Sequence, residues 1–95
     1  MAGRTDVSVR VPSPLRTLTG GKGELSARPG TLRALIEELN GTYPGLKARI
    51  CEEDGSLRRF VNVFVNEEDI RFLQGLDTPI DAGGRVSILP AVAGG

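Results

Sequence analysis

Between Phe60 and Asn66 the chain reads Phe-Val-Asn-Val-Phe-Val-Asn, with a valine at every second position. Branched and aromatic side chains of this kind fit a pleated, packed surface and are crowded in a helix. The period of two puts Val61, Val63 and Val65 on one face of a strand and Phe60, Asn62 and Phe64 on the other. A strand cannot satisfy its own backbone N–H and C=O groups. The rest of the chain must therefore supply neighbouring strands and an element to cover the valine face.

Candidate neighbours lie on both sides in sequence. Asp6 to Val11 alternates, with Val7, Val9 and Val11 on one side and Ser8 and Arg10 on the other, until Pro12 and Pro14 end the pattern. Thr19 to Gly23 is turn chemistry, so Glu24 to Ala27 can return as the second arm of a hairpin. Near the other end, Asp81-Ala82-Gly83-Gly84 is a tight turn into a final strand, Arg85 to Leu89, which Pro90 closes. Val86 and Ile88 should face inward there, leaving Ser87 and Leu89 outward. Thr78-Pro79-Ile80 reads as a short edge segment, because Pro79 has no N–H to donate. Glu67 to Ile70 reads as a turn or a single helical turn.

The cover is a helix announced by Pro29-Gly30-Thr31, with Thr31 as its N-cap. Leu32, Leu35, Ile36 and Leu39 follow at helical spacing and share one face. Asn40-Gly41, with Pro44 beyond, reads as its stop. From Tyr43 to Arg59 the pattern is irregular; Leu46, Ile50 and Leu57 are the expected core contacts and Glu52 to Gly55 an exposed turn. The fold class is thus α+β, a mixed sheet with one main helix packed on one face. A chain of 95 residues supports one such domain, here residues 1–90, with 91–95 left as a flexible tail.

Several chemistries are excluded by residue type. The chain has no His and a single Cys, Cys51. It therefore lacks the ligands of a zinc or iron–sulfur site, and it cannot build a Ser–His or Cys–His nucleophile pair. No metal site and no bound cofactor are expected. Twelve basic residues balance twelve acidic ones, which gives no support for nucleic acid or a membrane surface as a partner. No targeting segment is visible, and with no disulfide possible within the chain the default compartment is the cytoplasm. A chain so equipped takes part in a reaction as a carrier or substrate rather than as an enzyme.

The end of the chain suggests which. After the final strand come Ala91-Val92-Ala93-Gly94-Gly95. The order ββαβ…β closing in Gly-Gly resembles the ubiquitin-like β-grasp fold. Phe60 to Arg71 and Val86 to Gly95 resemble the corresponding parts of the ThiS/MoaD family of sulfur carriers, nearest to the branch serving an actinobacterial route of cysteine synthesis. The resemblance implies a cycle. An E1-like adenylating and sulfur-transfer enzyme uses ATP to adenylate the Gly95 carboxylate, and sulfur then displaces AMP to leave a C-terminal thiocarboxylate. A sulfur-accepting enzyme, such as a PLP-dependent cysteine synthase or another thiolating synthase, consumes it, and a metalloprotease releases the product. The small subunit of molybdopterin synthase and a ubiquitin-like modifier conjugated through Gly95 use the same tail chemistry. The residue types suit it: without a Cβ, Gly94 and Gly95 can pass a narrow channel, Ala91 and Ala93 keep the tail thin, and Pro90 stiffens its root.

Partner contacts are expected at Pro90, Ala91, Val92, Ala93 and Gly94, and at an apolar patch made by Phe60, Phe64 and Leu89 if the valines face the helix. The inverted arrangement, with the phenylalanines in the core, is open because both faces are apolar. Arg58, Arg59, Arg71 and Arg85 are either contacts for acidic residues of the activating enzyme or ordinary solvated charge. Gly20-Gly21-Lys22-Gly23 is a turn and not a phosphate loop, since Arg16 and Gly23 stand where that pattern needs Gly and Ser or Thr. Cys51 reads as an inert thiol beside Glu52, Glu53 and Asp54, and Glu67-Glu68 as a solvated turn.

Overall fold

The valine face of the 60–66 segment is the buried face of a sheet. The computed structural model describes residues 6–90. Its strands are β1 (Val7–Arg10), β2 (Glu24–Ala27), β3 (Gly30–Thr31), β4 (Val61–Val65), β5 (Glu68–Asp69), β6 (Pro79–Ile80) and β7 (Arg85–Pro90), and its α-helices are α1 (Leu32–Thr42) and α2 (Leu46–Ile50). Five strands form one sheet in the order β2-β1-β7-β4-β5. β1 and β7 run parallel and every other pair in that sheet is antiparallel. Parallel neighbours need a long crossover, and the covering helix lies in it.

The core is the layer between this sheet and α1. Val7, Val9, Val11, Val63, Val65, Val86 and Ile88 of the sheet side are at most 4% exposed, as are Leu32, Leu35, Ile36 and Leu39 of the helix. The inverted alternative for the 60–66 strand is thereby settled: the valines are inside. The Thr31 hydroxyl accepts the Ala34 N–H at 3.2 Å, the expected N-cap. Thr31 also belongs to the small β3–β6 ladder, and the Leu32 N–H donates to the Thr78 carbonyl at 3.0 Å. The short segment at residues 78–80 thus ties down the start of α1.

Local structure differs from the pattern at one point and sharpens it at two others. Asn40-Gly41 does not stop α1, which runs on to Thr42. The Asn40 carboxamide oxygen instead accepts the N–H groups of Gly45 and Lys47, both at 3.1 Å, and so caps the unforeseen α2. The left-handed backbone that frees the chain to turn falls at Gly45, φ 98°. Of the two readings of Glu67 to Ile70, the turn is the one found, and it begins at Asn66. Asn66 and Glu67 have φ of 51° and 74° and form a two-residue loop between Val65 and its partner Glu68, the geometry that matches strand twist. Asn66 adapts to this by bonding β7 twice, its N–H to the Arg85 carbonyl at 2.8 Å and its side-chain oxygen to the Arg85 N–H at 2.9 Å. Finally, Ser13–Thr19, left without a structure by the sequence pattern, is a 3-10 helix entered through Pro12 and closed by Gly20 at φ 68°.

Candidate functional site

The tail departs from a central strand. β7 pairs with β1 only through Arg85, Val86 and Ser87, because the prolines at 12 and 14 turn β1 away. It pairs with β4 along its length, from Val65↔Val86 to Val61↔Pro90. Its last three residues therefore run beyond β1, held by β4 alone within this sheet. Pro90 is the last described residue, so Ala91, Val92, Ala93, Gly94 and Gly95 lie outside the described part of the chain.

Around this root the outer face of the sheet mixes apolar and polar side chains. Leu89 stands opposite Asn62, and Phe64 opposite Ser87. Phe60 immediately precedes Val61, the partner of Pro90. Phe60 is 57% and Leu89 43% exposed, while Phe64 is half-buried. The alternation that buries the valines is what forces these side chains outward. Phe64 and Leu89 thus share the outer face of the sheet, and Phe60 is exposed in the turn just before β4. At the other end of that face the lining turns polar. The Ser8 hydroxyl donates to Glu24, and Arg85 lies 3.8 Å from Glu67.

Other candidates fall elsewhere. Thr19 to Gly23 is a turn whose Thr19 hydroxyl donates to the Lys22 carbonyl at 2.8 Å. Cys51 is buried at the end of α2, and burial pushes its thiol pKa up. Lys47 works against that shift and Glu37 with it, and the adjacent acidic run Glu52 to Asp54 is not among its causes. Phe72 was missed. It is 83% exposed at the end of the short 3-10 turn Ile70–Phe72. No periodic pattern surrounds it, and only a lone aromatic beside Arg71 in a polar stretch signalled it. Among the described residues no helix is long and apolar enough to cross a membrane.

Comparison with known proteins places this geometry. The model of the ThiS family matches residues 9–95. The sulfur carrier protein CysO of Mycobacterium tuberculosis is 48% identical over 92 residues, covering 95% of this chain and 99% of its own. In the crystal structure of the Amycolatopsis orientalis BexX/CysO complex, a chain 44% identical superimposes with a TM-score of 0.88, covering 94% of this chain and 99% of that one. The small archaeal modifier protein 1 of Methanosarcina acetivorans, at 30% identity, gives a TM-score of 0.81 and covers 99% of this chain and 100% of its own.

Proposed function

The chain belongs to the ThiS family and is a CysO-like sulfur carrier on a ubiquitin-like β-grasp, a carrier rather than a catalyst; from that premise we propose that its working group is the carboxylate of Gly95. That carboxylate attacks the α-phosphorus of ATP on an E1-like enzyme, releasing pyrophosphate and leaving an acyl-adenylate. A sulfide-level donor then attacks the carbonyl carbon, AMP departs, and a thiocarboxylate remains. Carboxylate is a poor electrophile, and the mixed anhydride supplies the leaving group. The thiocarboxylate sulfur is next the nucleophile for an acceptor, with a PLP-dependent cysteine synthase acting on an activated serine as the first candidate. A metalloprotease then frees the product from the tail.

The observation that carries this reading is a family match that runs through to Gly95. The fold supports it in a specific way. A strand locked between two neighbours at its start and exposed on one side at its end gives the tail a rigid origin. Phe60, Phe64 and Leu89 at that origin give both enzymes an apolar surface to bind, and Pro90 to Gly94 would then lie in their channels. Exposed apolar surface is a common mark of partner sites. The A. orientalis relative forms a complex with BexX, and a protein acceptor for this chain is proposed on the same pattern. The cytoplasm, where ATP and reduced sulfur meet, is the proposed compartment.

Extending the chain by one residue beyond Gly95 tests the reading. The carboxylate then stands out of register with ATP, and adenylation, followed as ATP–pyrophosphate exchange, should fall to background. Exchange at the unextended rate, without trimming, would defeat it. The likeness to an archaeal modifier protein favours one second reading, conjugation of Gly95 to lysines of other proteins. Isopeptide-linked adducts in extracts of the source cells would support that reading.

A further inference from the structure

On the flank of the domain, between the loop at residues 54–59 and the segment at 70–76, lies an open cleft of about 640 Å³. Four guanidinium groups line it, from Arg33 in the first turn of α1, from Arg58 and Arg59 ahead of β4, and from Arg71 after β5. Its apolar lining is Leu57, Ile70 and Leu76. The one acidic lining residue is Asp54, which is engaged locally: the Ser56 hydroxyl and N–H both donate to its carboxylate, at 2.6 and 2.9 Å, and hold its pKa below the usual value. Among the lining residues the arginines outnumber the acidic side chains four to one.

The placement of Arg33 opposes local preference. A cation in the first turn faces the positive end of the helix dipole, and α1 has no acidic residue there to offset it. Three of the arginines have acidic neighbours outside the lining, Arg33–Asp77 at 3.3 Å, Arg58–Glu52 at 3.4 Å and Arg71–Asp69 at 3.9 Å. The Arg58 Nε also donates to the Ala48 carbonyl at 2.7 Å. Surface pairs of this kind contribute little, and a carboxylate that binds a guanidinium in bidentate fashion competes with them. Arg59 has no ion-pair partner among the described residues.

Part of the backbone along the cleft is already engaged. The N–H groups of Gly55, Ser56, Arg58 and Arg71 donate to Glu52, Asp54, Ile50 and Asp69. No amide from those positions is left to cradle a compact phosphate. The rest of the lining offers the side chains of Arg33, Arg58, Arg59 and Arg71 beside those of Leu57, Ile70 and Leu76. That arrangement matches an extended peptide with carboxylates at several positions and an apolar side chain between them. The cleft also adjoins the tail root: Arg58 and Arg59 line a second hollow with Phe60 and Val61, and Val61 pairs with Pro90.

We propose that this cleft is a second docking site, which holds an extended acidic segment of an enzyme that handles the tail. It rests on the carrier reading, which supplies the need for such an enzyme. It separates the four arginines singled out from sequence, since Arg58, Arg59 and Arg71 join Arg33 in the cleft while Arg85 belongs to the polar end of the sheet face.

The test is an amide-resolved NMR titration of the full-length ¹⁵N-labelled protein with the peptide acetyl-Glu-Leu-Glu-Glu-Leu-Glu-amide. Its glutamine counterpart and inorganic pyrophosphate serve as comparison probes. Saturable shifts should map to residues 54–59 and 70–76, and the apparent Kd should rise about tenfold between ~50 and ~300 mM salt. Arg59→Glu should weaken binding by a similar factor, and Arg85→Gln should leave it unchanged. Equal binding of the glutamine peptide, tighter binding of pyrophosphate, or the absence of shifts in these segments would each overturn the proposal. None of those outcomes touches Gly95, so failure of the carrier chemistry itself would be read separately, from the mass of the tail.

Discussion

The two-residue loop between β4 and β5 places Glu67 at φ 74°, where a side chain is crowded. Two substitutions isolate that cost. Glu67→Ala removes the carboxylate, and with it the pair to Arg85 at 3.8 Å, but keeps the Cβ. Glu67→Gly removes both. Comparing the two variants cancels the ion pair and leaves backbone terms alone. Left-handed backbone costs a residue with a Cβ about 1–2 kcal/mol. Glycine gives back about 0.4–1 kcal/mol through its freer unfolded chain. The glycine variant should therefore be the more stable by about 0.5–1 kcal/mol, or a few degrees in Tm for a domain of this size. The ion pair, between side chains 71% and 84% exposed, adds about 0–1 kcal/mol and separates the alanine variant from the wild type. Urea unfolding followed by far-UV circular dichroism, with m values held equal, measures both differences. An alanine variant as stable as the glycine one, or more so, would refute the assignment of strain to this loop.

Leu35→Ala, at a side chain 2% exposed between α1 and the sheet, should cost about 2–5 kcal/mol in urea unfolding. Phe60→Ala, at 57% exposure, should change stability by less than about 0.5 kcal/mol while raising KM in thiocarboxylate formation. Asn40→Ala removes the shared acceptor for Gly45 and Lys47 and should cost about 1 kcal/mol, with amide exchange quickening in α2. Because burial raises the Cys51 pKa in the fold, the unfolded thiol ionises first. Its contribution to stability is whole below the unfolded pKa of about 8.5 and is lost as pH rises from there to the folded value. The stability gap between wild type and Cys51→Ala should narrow between pH 7 and pH 10.

Much of this was legible because it depends on period. The alternation of Val7, Val9 and Val11 and of Val61, Val63 and Val65, and the helical spacing of Leu32, Leu35, Ile36 and Leu39, each name a buried face without reference to the rest of the chain. Where both faces of the 60–66 strand were apolar, pattern left two arrangements, and only the position of α1 chose between them. Elements decided by single hydrogen bonds were not legible. Asn40 carries a helix-stop signature but caps the next helix, and Asn66-Glu67 lacks the Gly that announces a two-residue hairpin. The arginine cleft joins residues some forty positions apart, from Arg33 to Arg71, and nothing in local sequence brings them together. The sulfur-carrier family was legible for the opposite reason, since its mark is a run of residue types that the family model also matches and that needs no fold to be read.

Sulfur carried on Gly95 is the proposed working state of this protein. The direct measurement is the intact mass of the protein ending at Gly95, before and after incubation with ATP, a sulfide source and an E1-like enzyme of the same organism, with the modified fragment mapped. A gain equal to exchanging one oxygen for sulfur, located on Gly95, is the predicted result; an unchanged mass, with an enzyme active on another carrier of the family, would contradict it.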